Sequence, residues 1–226
     1  ERAIFAKTPD MLETFTERFG PYPFASLGQT VLDDTQFDAA LETQTMITYD
    51  ASSAREPTVA HEIAHQWFGN SVSLEQWRDI WLNEGFARYA QILWDEHEYG
   101  EDKAQATLRR QIASFANGAR TGDGQGLKIG DPGPDNLFSE VVYAGGAVFL
   151  SQLRAEIGDD DFFDLLHEWN ARYYHSNANS GDFRALAEEI SGKDLDEFFT
   201  NWLDTPWTPN RVADTFPLPA TNSPTP

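Results

Sequence analysis

The pattern of apolar positions predicts a chain that is mostly helix. Met11 to Phe19 reads as a first helix, with Thr8 as N-cap, Pro9 in its first turn and Gly20 as its stop. Pro21-Tyr22-Pro23-Phe24 interrupts it, and two short strands follow, Gln29 to Leu32 and Thr45 to Tyr49, rich in Thr, Val, Ile and Tyr. A second helix is expected from Pro57 to Gly69-Asn70, and a third from Leu82 to Tyr99 with Phe86, Ala90, Leu93 and Trp94 as its apolar stripe. Further helices are expected over 102–117, 141–157, 161–174, 182–190 and 195–203. Between the first two of these, Gly118 to Pro134 reads as a mobile surface loop with six glycines. No internal repeat is present. Segregated elements of this kind predict an α+β fold, with a small strand-bearing N-terminal part and a larger, mainly helical part.

Composition narrows the chemistry. The chain has 226 residues, and 16 basic against 37 acidic side chains give a net charge of −21. That balance excludes nucleic acid and anionic membrane surfaces, which need clustered Lys and Arg. At 40% hydrophobic, with 7 Trp, 7 Tyr and 16 Phe, the chain can bury a real core. No cysteine is present, so thiolate metal sites, disulfides and cysteine nucleophiles are excluded, and any metal must be held by His, Asp or Glu. The longest near-apolar run, Val141 to Leu150, is half a membrane span. The chain opens at Glu1 without initiator Met or signal peptide. It closes on the Pro/Ser/Thr-rich stretch Phe216 to Pro226, and a fragment of a longer polypeptide fits both ends. Acidity, absence of cysteine and this tail lean toward an extracytoplasmic or secreted location.

One stretch carries candidate catalytic chemistry: His61-Glu62-Ile63-Ala64-His65. On a helix, residues four apart project from one face, about 6 Å apart along the axis, which suits two imidazoles on one zinc ion. Glu62 then lies close enough to reach an activated water without ligating the metal, as a general base. A catalytic zinc commonly takes three protein ligands. Glu84, nineteen residues beyond His65 near the start of the next helix, is the candidate third, and Gly85 beside it permits close backbone approach. The plain alternative is a pair of surface histidines on an amphipathic helix. His97, His167 and His175 have no ligand-like spacing. Asp79 is either an outer partner of a ligating histidine or an ordinary surface Asp, and Trp67, Phe68, Trp77 and Trp81 read as core around the two helices. Gly122-Asp123-Gly124-Gln125-Gly126 matches neither a dinucleotide fingerprint nor a P-loop, and Asp123 and Asp131 would repel phosphate. The metzincin pattern is also excluded, because Phe68 and Ser71 stand where it needs Gly and His.

The words His61-Glu-Ile-Ala-His65-Gln-Trp-Phe-Gly-Asn70 and Trp81-Leu-Asn-Glu84-Gly-Phe-Ala87, with their spacing, closely resemble the aminopeptidase N family of gluzincin zinc metallopeptidases. The resemblance covers most of residues 1–207, and implies a thermolysin-like zinc peptidase domain there, with 208–226 as tail or linker. It implies one Zn2+ on His61, His65 and Glu84, with Glu62 as general base. Ala39-Ala-Leu-Glu42-Thr43 stands where the family carries Gly-x-Met-Glu-Asn, which implies that Glu42 binds the free amine of a peptide. Tyr143-Ala-Gly145-Gly-Ala147 stands where it carries Tyr-x-Lys-Gly-Ala, which implies that Tyr143 stabilises the oxyanion. Gly145 replaces the Lys and removes a cation from beside Tyr143. The implied partners are peptides with a free N-terminus and an upstream β-rich domain of the same polypeptide. A thermolysin-like endopeptidase and a catalytically silent zinc- or protein-binding module are the alternatives; Glu42 argues against the first and Glu62 against the second.

Overall fold

The computed structural model describes residues 2–32, 39–120 and 126–217. Asp123 and the stretch 218–226 of the expected tail lie outside them. A short helix α1 (Arg2–Phe5) leads into α2 (Thr8–Phe19), followed by strands β1 (Gly28–Leu32), β2 (Ala40–Leu41) and β3 (Met46–Asp50). These form one sheet in the order β1-β3-β2, parallel between β1 and β3 and antiparallel between β2 and β3. Helix α3 (Glu56–Ala64) comes next, then β4 (Val72–Leu74), a 3₁₀ turn (Trp77–Asp79), α4 (Trp81–Tyr99) and α5 (Glu101–Gly118). The remainder is α6 (Glu140–Ile157), α7 (Asp159–Arg172), β5 (Ser176–Ala178), α8 (Ser180–Ser191), α9 (Asp196–Phe199) with a wide turn over 200–204, and α10 (Pro209–Thr215). Strands β4 and β5 pair in parallel. The α+β class with a helical majority holds. Among the described residues no helix is long and apolar enough to cross a membrane.

Helix α4 is the centre of the molecule and packs against α3, α5 and α6. Its start is anchored through side chains. The Trp81 indole donates to Ser180 Oγ (2.8 Å), and Ser180 Oγ donates to the buried Asp79 carboxylate (2.5 Å). Asp79 is thus neither a surface residue nor a partner of a ligating histidine; it ties the front of α4 to the front of α8. Trp67, Phe68 and Trp81 are core as expected, whereas Trp77 is 62% exposed. Trp67 donates its indole N–H to Gly20 O (3.0 Å), fixing the turn after α3 against the end of α2.

Several boundaries differ from the sequence expectation for local reasons. Helix α3 stops at Ala64, not at Gly69-Asn70, because the next turn tightens: Gln66 and Trp67 donate to carbonyls three residues back, and Gly69, at φ +123°, turns the chain toward Val72. Thr8 does not cap α2; Lys7 precedes the helix, and the Thr8 hydroxyl accepts from Gln29 Nε2 (2.8 Å). The two- and three-residue strands β2, β4 and β5 are too short to show a period in the sequence. The second half of the glycine-rich loop is packed, not mobile: Ile129 is buried, Trp207 N–H donates to Leu127 O and Gly130 N–H to Leu203 O. Residues 209–215 form a helix, capped by Thr208 and started by Pro209, with Val212 buried and the Arg211 guanidinium stacked 3.7 Å from the Trp207 ring centroid.

Glycine sets the distance between α4 and α6. A Cβ on Gly146 would stand 2.7 Å from Gly85 Cα, and one on Gly85 3.0 Å from Gly146 Cα, backbone against backbone. At Gly145 the obstacle is softer, the Phe115 ring at 2.9 Å. Gly146→Ala should therefore lose stability despite Ala's better helix propensity, by about 1–3 kcal/mol from overpacking, and lose more than Gly145→Ala. Urea unfolding of the two variants measures this; equal or greater loss at Gly145 would contradict the close-crossing account.

Candidate active site

Helix α3 places His61 and Glu62, the cap residue just past its end is His65, and the first turn of α4 brings Glu84 to them, where the helix dipole favours a carboxylate. All four are buried. His65 Nε2 lies 3.1 Å from His61 Nε2 and 3.4 Å from Glu84 Oε2, and His61 Nε2 lies 3.3 Å from the same oxygen. Bonds of about 2.0–2.1 Å to a tetrahedral zinc separate neighbouring ligand atoms by about 3.3–3.4 Å, so this triangle fits one face of such a site. The set is two nitrogens and one carboxylate oxygen, the chemistry zinc accepts. His65 Nδ1 donates to Phe68 O (3.0 Å), which leaves Nε2 to face the site. His61 has no such bond among the described residues at Nδ1. Its ring instead lies against that of Tyr143, centroids 6.1 Å apart and 19° from parallel.

The electrostatics favour a cation. Burial alone would push His65 down, but Glu84, with Glu62 and Glu42 behind it, outweighs burial and raises it to about 10. Burial would raise Glu84, yet His65 and His61 hold it well below the usual carboxylate range. Burial lowers His61 to about 4. Glu62 is pushed up to about 7, chiefly by burial and then by Glu42 and Glu84 against His65.

Glu42, on the segment just after β2, also reaches this cluster. Its carboxylate, that of Glu62 and the His65 ring bring ligand atoms within 4.8 Å of one another, as do His61, His65 and Glu84. Tyr143, half-buried in the first turn of α6, is raised far above the normal phenol range by burial and then by Glu84. All six candidate residues therefore meet in one place. His97, His167 and His175 are exposed and take no part.

Three further residues surround the site. Gln66 donates through Nε2 to Glu42 O (3.1 Å) and accepts from Thr45 N–H (2.9 Å), and Asn70 Nδ2 donates to Glu42 O (2.7 Å). Both stand within the motif words, where ligand spacing gives no reason to single them out. The Arg88 guanidinium lies 5.2 Å from the Tyr143 ring centroid and 3.4 Å from Glu140. Its position four residues after Glu84 puts it on the same helix face, a signal the helical period carried. The expected loss of a cation near Tyr143 is thus offset from a different helix.

Residues 4–202 match the model of the peptidase family M1 domain. Aminopeptidase M1-B of Oryza sativa subsp. japonica is 30% identical over 84% of this chain and 24% of its own length. Aminopeptidase N of Streptomyces lividans is 30% identical over 90% of the chain and 26% of its own length. The chain thus spans about a quarter of these relatives. Among solved structures, an M1 zinc metallopeptidase from Deinococcus radiodurans, a mutant bound to a Tyr-Ser-Ala substrate, superposes with a TM-score of 0.80 at 29% identity, over 97% of this chain and 46% of that one. With the site geometry and a family match over nearly its whole described length, the chain belongs to peptidase family M1, whose cofactor is zinc.

Proposed function

We propose that this chain is the catalytic domain of a zinc aminopeptidase that removes the N-terminal residue of peptides. The observation that carries the reading is the buried triangle of His61, His65 and Glu84 with two further carboxylates, Glu62 and Glu42, at its edge. A zinc ion on that triangle supplies Lewis acidity, polarising the scissile carbonyl and making water acidic enough to lose a proton near neutral pH. The Glu62 carboxylate takes that proton as the water oxygen attacks, and gives it to the leaving nitrogen as the peptide bond breaks. Tyr143 donates its phenolic hydrogen to the oxygen of the tetrahedral intermediate, where charge develops. Glu42 accepts hydrogen bonds from the substrate ammonium, so only a chain end seats there. His65–Phe68 and His61–Tyr143 contacts keep both imidazoles oriented through the cycle. Peptides with a free N-terminus are the proposed substrates, and a β-rich domain upstream in the same polypeptide is proposed to wall off the cleft.

Zinc binding to the folded chain should stabilise it by about 4 kcal/mol at a thousandfold excess over Kd, roughly 10 °C in Tm. Calorimetry with and without a chelator tests this. The shift should vanish in His65→Ala and Glu84→Gln and persist in Glu62→Gln; a Glu84→Gln protein with an undiminished shift would remove Glu84 from the ligand set.

Glu62→Gln should retain zinc and lose about 10²–10⁴-fold in kcat on aminoacyl-anilides. Glu42→Gln should lose the preference for free-amine over N-acetylated substrates while keeping zinc. Steady-state kinetics on both substrate types read this out. Equal turnover of N-blocked peptides by the unaltered protein would favour an endopeptidase, and no turnover by zinc-loaded protein would favour a silent module.

A further inference from the structure

We infer that Gln66 and Asn70 are positioning residues that set where the Glu42 carboxylate stands relative to the metal ligands, and so how a substrate amine registers against the scissile bond. The inference rests on the reading of Glu42 as the amine anchor. Strand β2 ends at Leu41 and β3 begins at Met46, so residues 42–45 fall outside ladder pairing. Their backbone is held by side chains instead. The Glu42 carbonyl accepts from both Gln66 Nε2 (3.1 Å) and Asn70 Nδ2 (2.7 Å). The Gln66 carboxamide is fully buried and works on both sides, since its oxygen accepts the Thr45 N–H at 2.9 Å. One side chain thereby bridges the two ends of the Glu42–Thr45 turn.

The turn needs that support. Thr45 sits at φ +62°, a left-handed conformation in which a β-branched residue is strained, at the position where Met46 N–H closes back on Thr43 O (3.0 Å). Such backbone persists only where its surroundings over-determine it, and it gathers at functional sites. Here Gln66 on one side and the bond from Gly28 N–H to Thr45 O (2.7 Å) on the other supply the constraint.

The clamp also joins two parts of the chemistry. Gln66 follows the ligand His65 directly, and Asn70 N–H returns to His65 O (3.0 Å), so the segment that presents Glu42 is bolted to the turn that presents an imidazole. An enzyme that removes one residue at a time depends on the distance between amine anchor and metal. In this chain that distance is fixed by two carboxamides.

The test is a double-mutant cycle read by binding. Titration calorimetry follows L-leucinamide, with N-acetyl-L-leucinamide as the blocked control, on zinc-loaded protein that carries Glu62→Gln throughout, so that the amide is bound without being cleaved. Glu42→Gln should weaken leucinamide binding by about tenfold or more, and Asn70→Ala by about 3–10-fold, with zinc content and affinity for the blocked control unchanged. The Asn70→Ala/Glu42→Gln double variant should bind no more weakly than Glu42→Gln alone, because Asn70 acts through Glu42. Gln66→Met should follow the same pattern with a larger loss, its Tm recorded to separate unfolding from misplacement. Additive losses, or an Asn70→Ala loss equal for both ligands, would assign the carboxamides a merely structural role and overturn the inference. If Glu42→Gln leaves leucinamide affinity intact, the amine-anchor reading falls first and the positioning role falls with it.

Discussion

Burying like charges together is the constraint around which this molecule is organised. Glu42, Glu62 and Glu84 converge on two imidazoles at the junction of α3, α4 and the strand-bearing part. The three carboxylates repel one another, and the buried pair, Glu62 and Glu84, loses hydration that hydrophobic packing cannot replace, while Glu42 is half-buried. Positive charge must answer them. At the His65 imidazole the charges of Glu84, Glu62 and Glu42 outweigh burial and favour the protonated form. A divalent ion would answer the same demand by accepting one nitrogen lone pair from each histidine.

A cluster under that much internal stress keeps its geometry only if each member is held from outside. The supports are of different physical kinds. Backbone contact at Gly85 and Gly146 fixes the separation of α4 and α6, hence of Glu84 and Tyr143. The Asp79–Ser180–Trp81 chain of hydrogen bonds stops α4 from sliding along its axis. The Phe68 carbonyl orients one imidazole and the Tyr143 ring the other. Most of these groups come from the large helical part, while Glu42 arrives on an irregular turn of the small sheet.

This division explains what could be read from the amino-acid sequence. The meeting of His61, His65 and Glu84 was legible because helical period and fixed spacing carry it: two imidazoles on one face, and a carboxylate in the first turn of the next helix. The long helices were legible for the same reason, within one or two residues at most ends. Asp79 was misread and Gln66 and Asn70 were not singled out, because their partners lie far away in the chain: Ser180, Glu42 and Thr45. No local periodicity reports a hydrogen bond across such distances. Within the stretch 208–226 expected as tail or linker, residues 209–215 carry a cap, a proline and one buried valine, which suffice for a helix once Trp207 and α5 offer a surface.

The replacement of a lysine by Gly145 illustrates why a motif word is best read with its neighbours in space. A side chain at 145 would begin 2.9 Å from the Phe115 ring and 3.2 Å from Ile129, two fully buried groups, so this fold has no room for a long cation there. The guanidinium of Arg88 approaches the Tyr143 ring across the α4–α6 contact instead. Burial and Glu84 make the phenol harder to ionise, while Arg88 acts in the opposite direction. The positive charge near Tyr143 therefore belongs to the helix that carries Glu84, and it arrives with the glycine crossing that brings the two helices together. In such a chain the identity of residue 145 follows from how closely α5 and α6 pack, and says little by itself about the electrostatics at the tyrosine.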